Sequence, residues 1–202
     1  TGVHYHVSNV STKETVEVIK RAKLNGIKIT CDTSPPYFSL NELELLTYDT
    51  SFKISPPLRH EEDRIAIQNA IFDDTIDIIT SDHKPMSNDT KILPFTSAST
   101  GASGIETLLP LTLNLLNKSD VTIINILKKI TLNPSKLLKV EIPKIRSNER
   151  ANFIIFDPNE QYLINKDLLQ TSPTPFHGKP VQGKNYLSMI NGEIVFDNLN
   201  LL

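Results

Sequence analysis

Apolar and polar positions alternate along this chain in two periods, and the changes between them lay out its elements. Val3, Tyr5 and Val7 interleave with His4, His6 and Ser8, which predicts a half-buried strand over residues 3–8. The period then lengthens. Val16, Ile19 and Ala22 recur at helical spacing behind Ser11-Thr12-Lys13-Glu14, a capping box in which Ser11 and Glu14 would satisfy each other's free amides, and Gly26 marks the helix end. Residues 27–31 read as the next strand, followed by a loop around Ser34-Pro35-Pro36-Tyr37. A second unit starts at Phe52-Lys53-Ile54 and passes Pro56-Pro57. It enters a helix from Glu61 to about Phe72, whose Glu61, Glu62 and Asp63 suit the positive end of the helix dipole. Residues 76–80 form the strand that follows.

Beyond a polar loop over 84–102, Ser103-Gly104-Ile105-Glu106 repeats the capping-box pattern and opens a leucine-rich helix. Asp120 is the expected N-cap of another helix, and Asn133-Pro134 sets an N-cap beside a proline at the first helical position. The pattern changes near residue 141. After Pro143, residues 151–156 and 186–196 read as strands, the latter a hairpin turning on Asn191-Gly192. The expected organisation is therefore α/β: a βα region over 1–140 and a small β-subdomain over 141–202. A closed (β/α)8 barrel needs eight strands and typically about 250 residues. The three or four units here read as one half of such a barrel, whose open edge would require the other half or a close partner. A small doubly wound sheet is the competing architecture, although no Gly-rich phosphate loop marks a nucleotide crevice.

The 202 residues are 39% hydrophobic with a formal net charge of -2, so no basic field for nucleic acid exists and no apolar run is long enough to span a bilayer. The single cysteine, Cys31, leaves no internal disulfide and no cysteine-rich metal cage. With no signal-like segment before the first strand, the expected location is the reducing cytoplasm.

Candidate chemistry centres on Ile78-Ile79-Thr80-Ser81-Asp82-His83, a hydrophobic strand ending in an acid and a histidine. A buried strand rarely ends in an unpartnered carboxylate, because desolvating it is costly, and barrel hydrolases present catalytic carboxylates in this way. The plainer alternative is a turn with a capping Asp. His4 and His6 share one strand face and could form an i, i+2 metal pair, or could be polar positions on a half-buried strand. Cys31 beside Asp32 suggests either a nucleophile or a buried structural thiol. Gly101-Ala102-Ser103-Gly104 could cradle an anion or simply turn, and His60 reads as a solvated helix start.

Taken in order, several motifs carry a resemblance: His6-Val7-Ser8-Asn9-Val10-Ser11-Thr12-Lys13-Glu14, Ser55-Pro56-Pro57-Leu58-Arg59, Ser81-Asp82-His83, Gly104-Ile105-Glu106-Thr107 and Asn133-Pro134-Ser135. Together they resemble the C-terminal half of bacterial dihydroorotases of the amidohydrolase superfamily. That resemblance implies the second half of a TIM-like (β/α)8 barrel closed by a small β-subdomain, and hydrolysis of the cyclic amide of dihydroorotate, or ring closure of carbamoyl aspartate, in pyrimidine synthesis. It implies a zinc-activated water and makes Asp82 both metal-binding group and catalytic base, with His83 a substrate contact.

The departures are chemical. Asn9 stands at a zinc-binding histidine, and a neutral amide is a poor zinc ligand. Ser55 replaces an asparagine and Met86 a histidine at positions that hold substrate, while Ser34-Pro35-Pro36-Tyr37 departs from Thr-Pro-His-His. The other ligands, including a His-x-His pair, would lie upstream in the N-terminal half. Two expectations follow. One is a noncatalytic dihydroorotase-like protein, this chain alone holding no zinc, acting in an oligomer as structural or regulatory partner of aspartate transcarbamoylase. The alternative is an active zinc dihydroorotase, or a relative with shifted cyclic-amide specificity.

Overall fold

Strand β1 (Tyr5–Val7) pairs in parallel with β2 (Ile29–Thr33), setting Tyr5 opposite Ile29 and Val7 opposite Cys31. β2 pairs in parallel with β3 (Ile78–Ile79), with Asp32 opposite Ile78. This is a computed structural model, and it describes residues 2–118, 120–142, 144–165 and 173–199. Parallel neighbours need crossover helices. Helix α1 (Lys13–Leu24) joins β1 to β2, and α3 (Glu61–Phe72) precedes β3, with a short α2 (Pro35–Ser39) between them. Val16 and Ile19 of α1 and Ile67 and Ile71 of α3 are buried against the sheet. Lys20 to Asp73 at 2.6 Å and Lys23 to Asp77 at 2.8 Å bind the end of α1 to the turn before β3.

After β3 come α4 (Asn88–Lys91), α5 (Ile105–Leu113), α6 (Ile123–Ile130) and α7 (Leu132–Leu138). A second sheet is antiparallel, in the order β4 (Phe153–Leu163), β5 (Pro180–Ile190), β6 (Glu193–Asp197). Its hairpin turns at Asn191 and Gly192, whose φ angles of +53° and +86° are the two positive values a type I′ turn needs. The two sheets share a core: Ile164, Phe176 and Val181 join Cys31, Ile71 and Ile79 in one buried cluster. Helix α5 lies directly on β5, where a Cβ on Gly183 would stand 2.2 Å from Leu113 Cδ1. Only glycine allows that approach.

Two faces stay apolar and open. Val3 and Tyr5 on and beside edge strand β1 are 68% and 62% exposed, and Ile154, Ile155, Val195 and Phe196 are exposed on β4 and β6.

Several local expectations shift. Thr12, not Ser11, caps α1, accepting from Thr15 N–H at 3.3 Å, because the threonine is the last extended residue before the helix. Gly104 is the cap residue of α5, while Ser103 Oγ bonds Glu106 Oε2 at 2.8 Å. Thr122 rather than Asp120 caps α6. α7 begins at Leu132, so Asn133 sits inside it and donates to Asp77 O at 2.8 Å, and Pro134 falls within the first turn, where a missing N–H costs nothing. Phe52-Lys53-Ile54 forms no strand; Thr50–Phe52 is a 3-10 turn. Pro143 lies outside the described residues.

Candidate functional site

Three strand ends converge: Asn9 follows β1, Asp32 ends inside β2, and Asp82 follows β3. Crevices at the carboxyl ends of parallel strands are the usual place for a site in such folds. Asp32 is the organiser. Its buried carboxylate accepts from Asn9 N–H at 2.8 Å, Ser8 Oγ at 3.0 Å and His6 Nε2 at 2.9 Å, with Thr80 Oγ1 at 3.4 Å. These bonds hold Asn9 at φ +56°, and Asp82 stands at φ +44°. Both lie in the left-handed region that Asn and Asp tolerate better than other side chains, and such backbones persist where surrounding contacts over-determine them.

So held, Asn9 turns its amide onto Asp82: Nδ2 donates to Oδ1 at 3.2 Å. An ionised carboxylate only accepts, so the facing amide atom must be nitrogen. The same Oδ1 receives the Lys84 ammonium at 2.8 Å, with the Asp82 carboxylate 13% exposed. Zinc wants imidazole, thiolate or free carboxylate. Here Oδ1 is engaged by an amide N–H and an ammonium, and position 9 offers a neutral amide in place of imidazole, so the donor set is a poor fit for zinc.

The other candidates separate. His83 is engaged at the start of α5: its Nδ1 accepts from Gly104 N–H at 3.2 Å and Ile105 N–H at 3.4 Å, filling the amide end that an anion would otherwise occupy. Ser55 is exposed and lines the cleft with Pro35, Ile54, Asp82, Lys84 and Ser103, while Met86 lies against Gly101. The cleft retains about 20 Å³, room for roughly one water. His4 Nε2 and His6 Nδ1 both meet Thr30 Oγ1, at 3.0 and 2.8 Å, so both rings are tied to β2, with His6 bridging Thr30 and Asp32. Among the described residues no three His, Cys, Asp or Glu side chains converge as a metal group. Cys31 is fully buried, its Sγ donates to Thr75 O at 3.3 Å, and burial pushes its thiol up to about 11, which makes it a structural thiol. His60 is an exposed helix cap paired with Glu42.

Sequence reasoning missed the lysines. Lys84 follows the strand-end acid at i+2 and could have been noticed as its local counter-charge. Lys91 is 4% exposed and donates to Thr50 O at 2.7 Å, while Lys53 donates to Phe95 O at 2.7 Å and Thr96 O at 2.9 Å. Together they pin the 84–102 loop over the cleft. Burial, helped by the charge of Lys53, pushes Lys91 down to about 8.

The sequence matches the amidohydrolase family over residues 1–195. It is 35% identical over 197 residues to a dihydroorotase of Anaplasma phagocytophilum, covering 96% of this chain and 44% of that protein. It is 37% identical over 201 residues to a dihydroorotase of Clostridium acetobutylicum, covering 98% and 47%. The chain thus spans about half the length of the relatives it matches. The structure superposes on an L-hydantoinase (dihydropyrimidinase) from Arthrobacter aurescens with a TM-score of 0.89 at 26% identity, over 100% of this chain and 46% of that one. It shares its fold with the inactive dihydroorotase-like domain of a Chaetomium thermophilum CAD-like multifunctional protein, with a TM-score of 0.71 at 18% identity, over 96% and 52%. No helix among the described residues is long and apolar enough to cross a membrane.

Proposed function

Because this chain belongs to the amidohydrolase family, we propose that it is the C-terminal half of a dihydroorotase-like (β/α) barrel with its small β-subdomain, noncatalytic, and serving in pyrimidine synthesis as a structural or regulatory partner of aspartate transcarbamoylase. The observation that carries the noncatalytic reading is Asp82 Oδ1, already bonded by Asn9 Nδ2 and Lys84 Nζ. Held in this way, Oδ1 cannot take a proton from water without giving up one of these partners. Ser55 and Met86 at the positions that would hold substrate, His83 committed to α5, and a cleft with room for about one water point the same way. The open apolar edge at Tyr5 and the exposed face of β4 and β6 suit packing against the barrel's other half, in an oligomer whose selected property is its surface. A free buried Cys31 suits a cytoplasmic setting.

The second reading is an active zinc-dependent dihydroorotase, or a cyclic-amide hydrolase of shifted specificity. It is favoured by the retention of Asp82 at the end of β3 and by the relatives that carry that name. Ring opening of dihydroorotate by the full-length protein, assayed with added zinc beside Asn9→His, Ser55→Asn and Met86→His combined, separates the two. The unmodified protein should show no turnover. Any gain in the triple variant should need upstream ligands as well, since metal, substrate clamp and base act as a unit.

A further inference from the structure

Lys84 is placed with more care than a surface lysine requires. Its side chain is 47% exposed, yet its backbone is fixed: its N–H donates to Ala102 O at 2.9 Å, and its carbonyl packs so closely on Gly101 that a Cβ there would stand 2.6 Å away. Gly101 N–H is in turn tied to Lys53 O at 3.0 Å, and the Lys53 and Lys91 ammonium groups cap carbonyls on either side of the loop. The loop therefore delivers the Lys84 ammonium to Asp82 from a hydrogen-bonded backbone, two residues along the chain.

We infer that Lys84 is a built-in cation that replaces metal charge at Asp82: with the Asn9 amide it occupies Oδ1, and its charge opposes a divalent ion approaching the carboxylate. This deepens the noncatalytic reading and rests on it, since it names the group that keeps the centre shut. Loss of a histidine at position 9 alone would leave a carboxylate still able to recruit zinc with other ligands. The ammonium opposes that directly, because a divalent ion reaching Asp82 would meet a unit positive charge within about 4 Å.

The test uses the full-length protein and zinc itself, with Asn9→His as the common background so that a ligand is present. Zinc affinity is measured by calorimetric titration and by elemental analysis after dialysis, for Asn9→His, Asn9→His with Lys84→Leu, and Asn9→His with Lys84→Arg. Leucine removes the charge and offers no donor atom; arginine keeps the charge. Even fully solvent-screened repulsion predicts about thirtyfold tighter zinc binding in the leucine variant than in Asn9→His alone, with the arginine variant unchanged. Equal affinity in the leucine variant and its background, including no zinc in either, overturns the role of Lys84. Dihydroorotate turnover by the unmodified protein is a separate result: it sinks the noncatalytic reading, while the comparison among variants still judges Lys84.

Discussion

Replacing Asp32 with alanine should do more damage than the loss of one polar side chain suggests. The carboxylate is almost fully buried and accepts three bonds of 3.0 Å or shorter, from Asn9 N–H, Ser8 Oγ and His6 Nε2. Bonds to a charged acceptor are each worth about 1.5–3 kcal/mol net. Simple addition overstates the loss, because Ser8 and His6 are only partly covered and recover water. Relief of the left-handed backbone at Asn9 returns about 1 kcal/mol more. The expected net cost is about 3–4 kcal/mol, in the range of breaking a buried polar pair. Urea unfolding followed by circular dichroism near neutral pH measures it. Asp32→Asn should cost less, since one oxygen can still accept from Asn9 N–H. A cycle with His6→Ala should return a coupling of about 1–2 kcal/mol. A loss below about 1 kcal/mol for Asp32→Ala would show that Asp32 is not what fixes the strand ends, and the account of why Asn9 faces Asp82 would go with it.

Gly104→Ala should cost about 3 kcal/mol, because its Cβ would stand 2.2 Å from the Ser81 carbonyl oxygen, a backbone atom that cannot step aside; a change within about 0.5 kcal/mol in the same assay would contradict this close approach. Lys91, held near 8 by burial, carries its charge in both states below that pH. Between pH about 8 and about 10.5 the unfolded chain binds more protons, so stability rises with pH. Paired urea titrations should show the wild type gaining on Lys91→Met over that window, and a flat difference would count against the buried charge. Cys31, fully buried with its thiol pushed up to about 11, should resist iodoacetamide until denaturant opens the core; alkylation of the native protein at the rate of a free thiol would place it elsewhere.

The parallel strands and α3 were legible because their signals are local. An acid-led helix start and a period-matched apolar face fix residues 61–72 wherever the chain is placed. The Asn191-Gly192 turn was legible for the same reason, since two adjacent positive φ values select those residue types. Caps were read one or two positions away, because Ser11, Thr12, Asp120 and Thr122 all carry capping oxygens and only tertiary packing chooses which residue is the last extended one. The site was half legible. Strand-end Asp82 and substituted Asn9 stand out in the sequence, but the bond between them depends on Asp32 pulling the backbone at residue 9 into the left-handed region across a distance of 23 residues. Lys84 was passed over because a lysine after a strand end usually points to water; here a loop anchored by two other lysines sets its ammonium on Asp82. His83 shows the converse, a residue whose motif suggested substrate and whose Nδ1 is committed to the first amides of α5.

On the noncatalytic reading proposed above, the Asp82 centre does no chemistry. The most direct test is the initial rate of dihydroorotate ring opening by the full-length protein across pH, with and without added zinc, beside Asp82→Ala. The same background rate is expected for both proteins under every condition. Zinc-dependent turnover by the unmodified protein that Asp82→Ala abolishes would contradict it and establish an active site built around a lysine-bridged carboxylate.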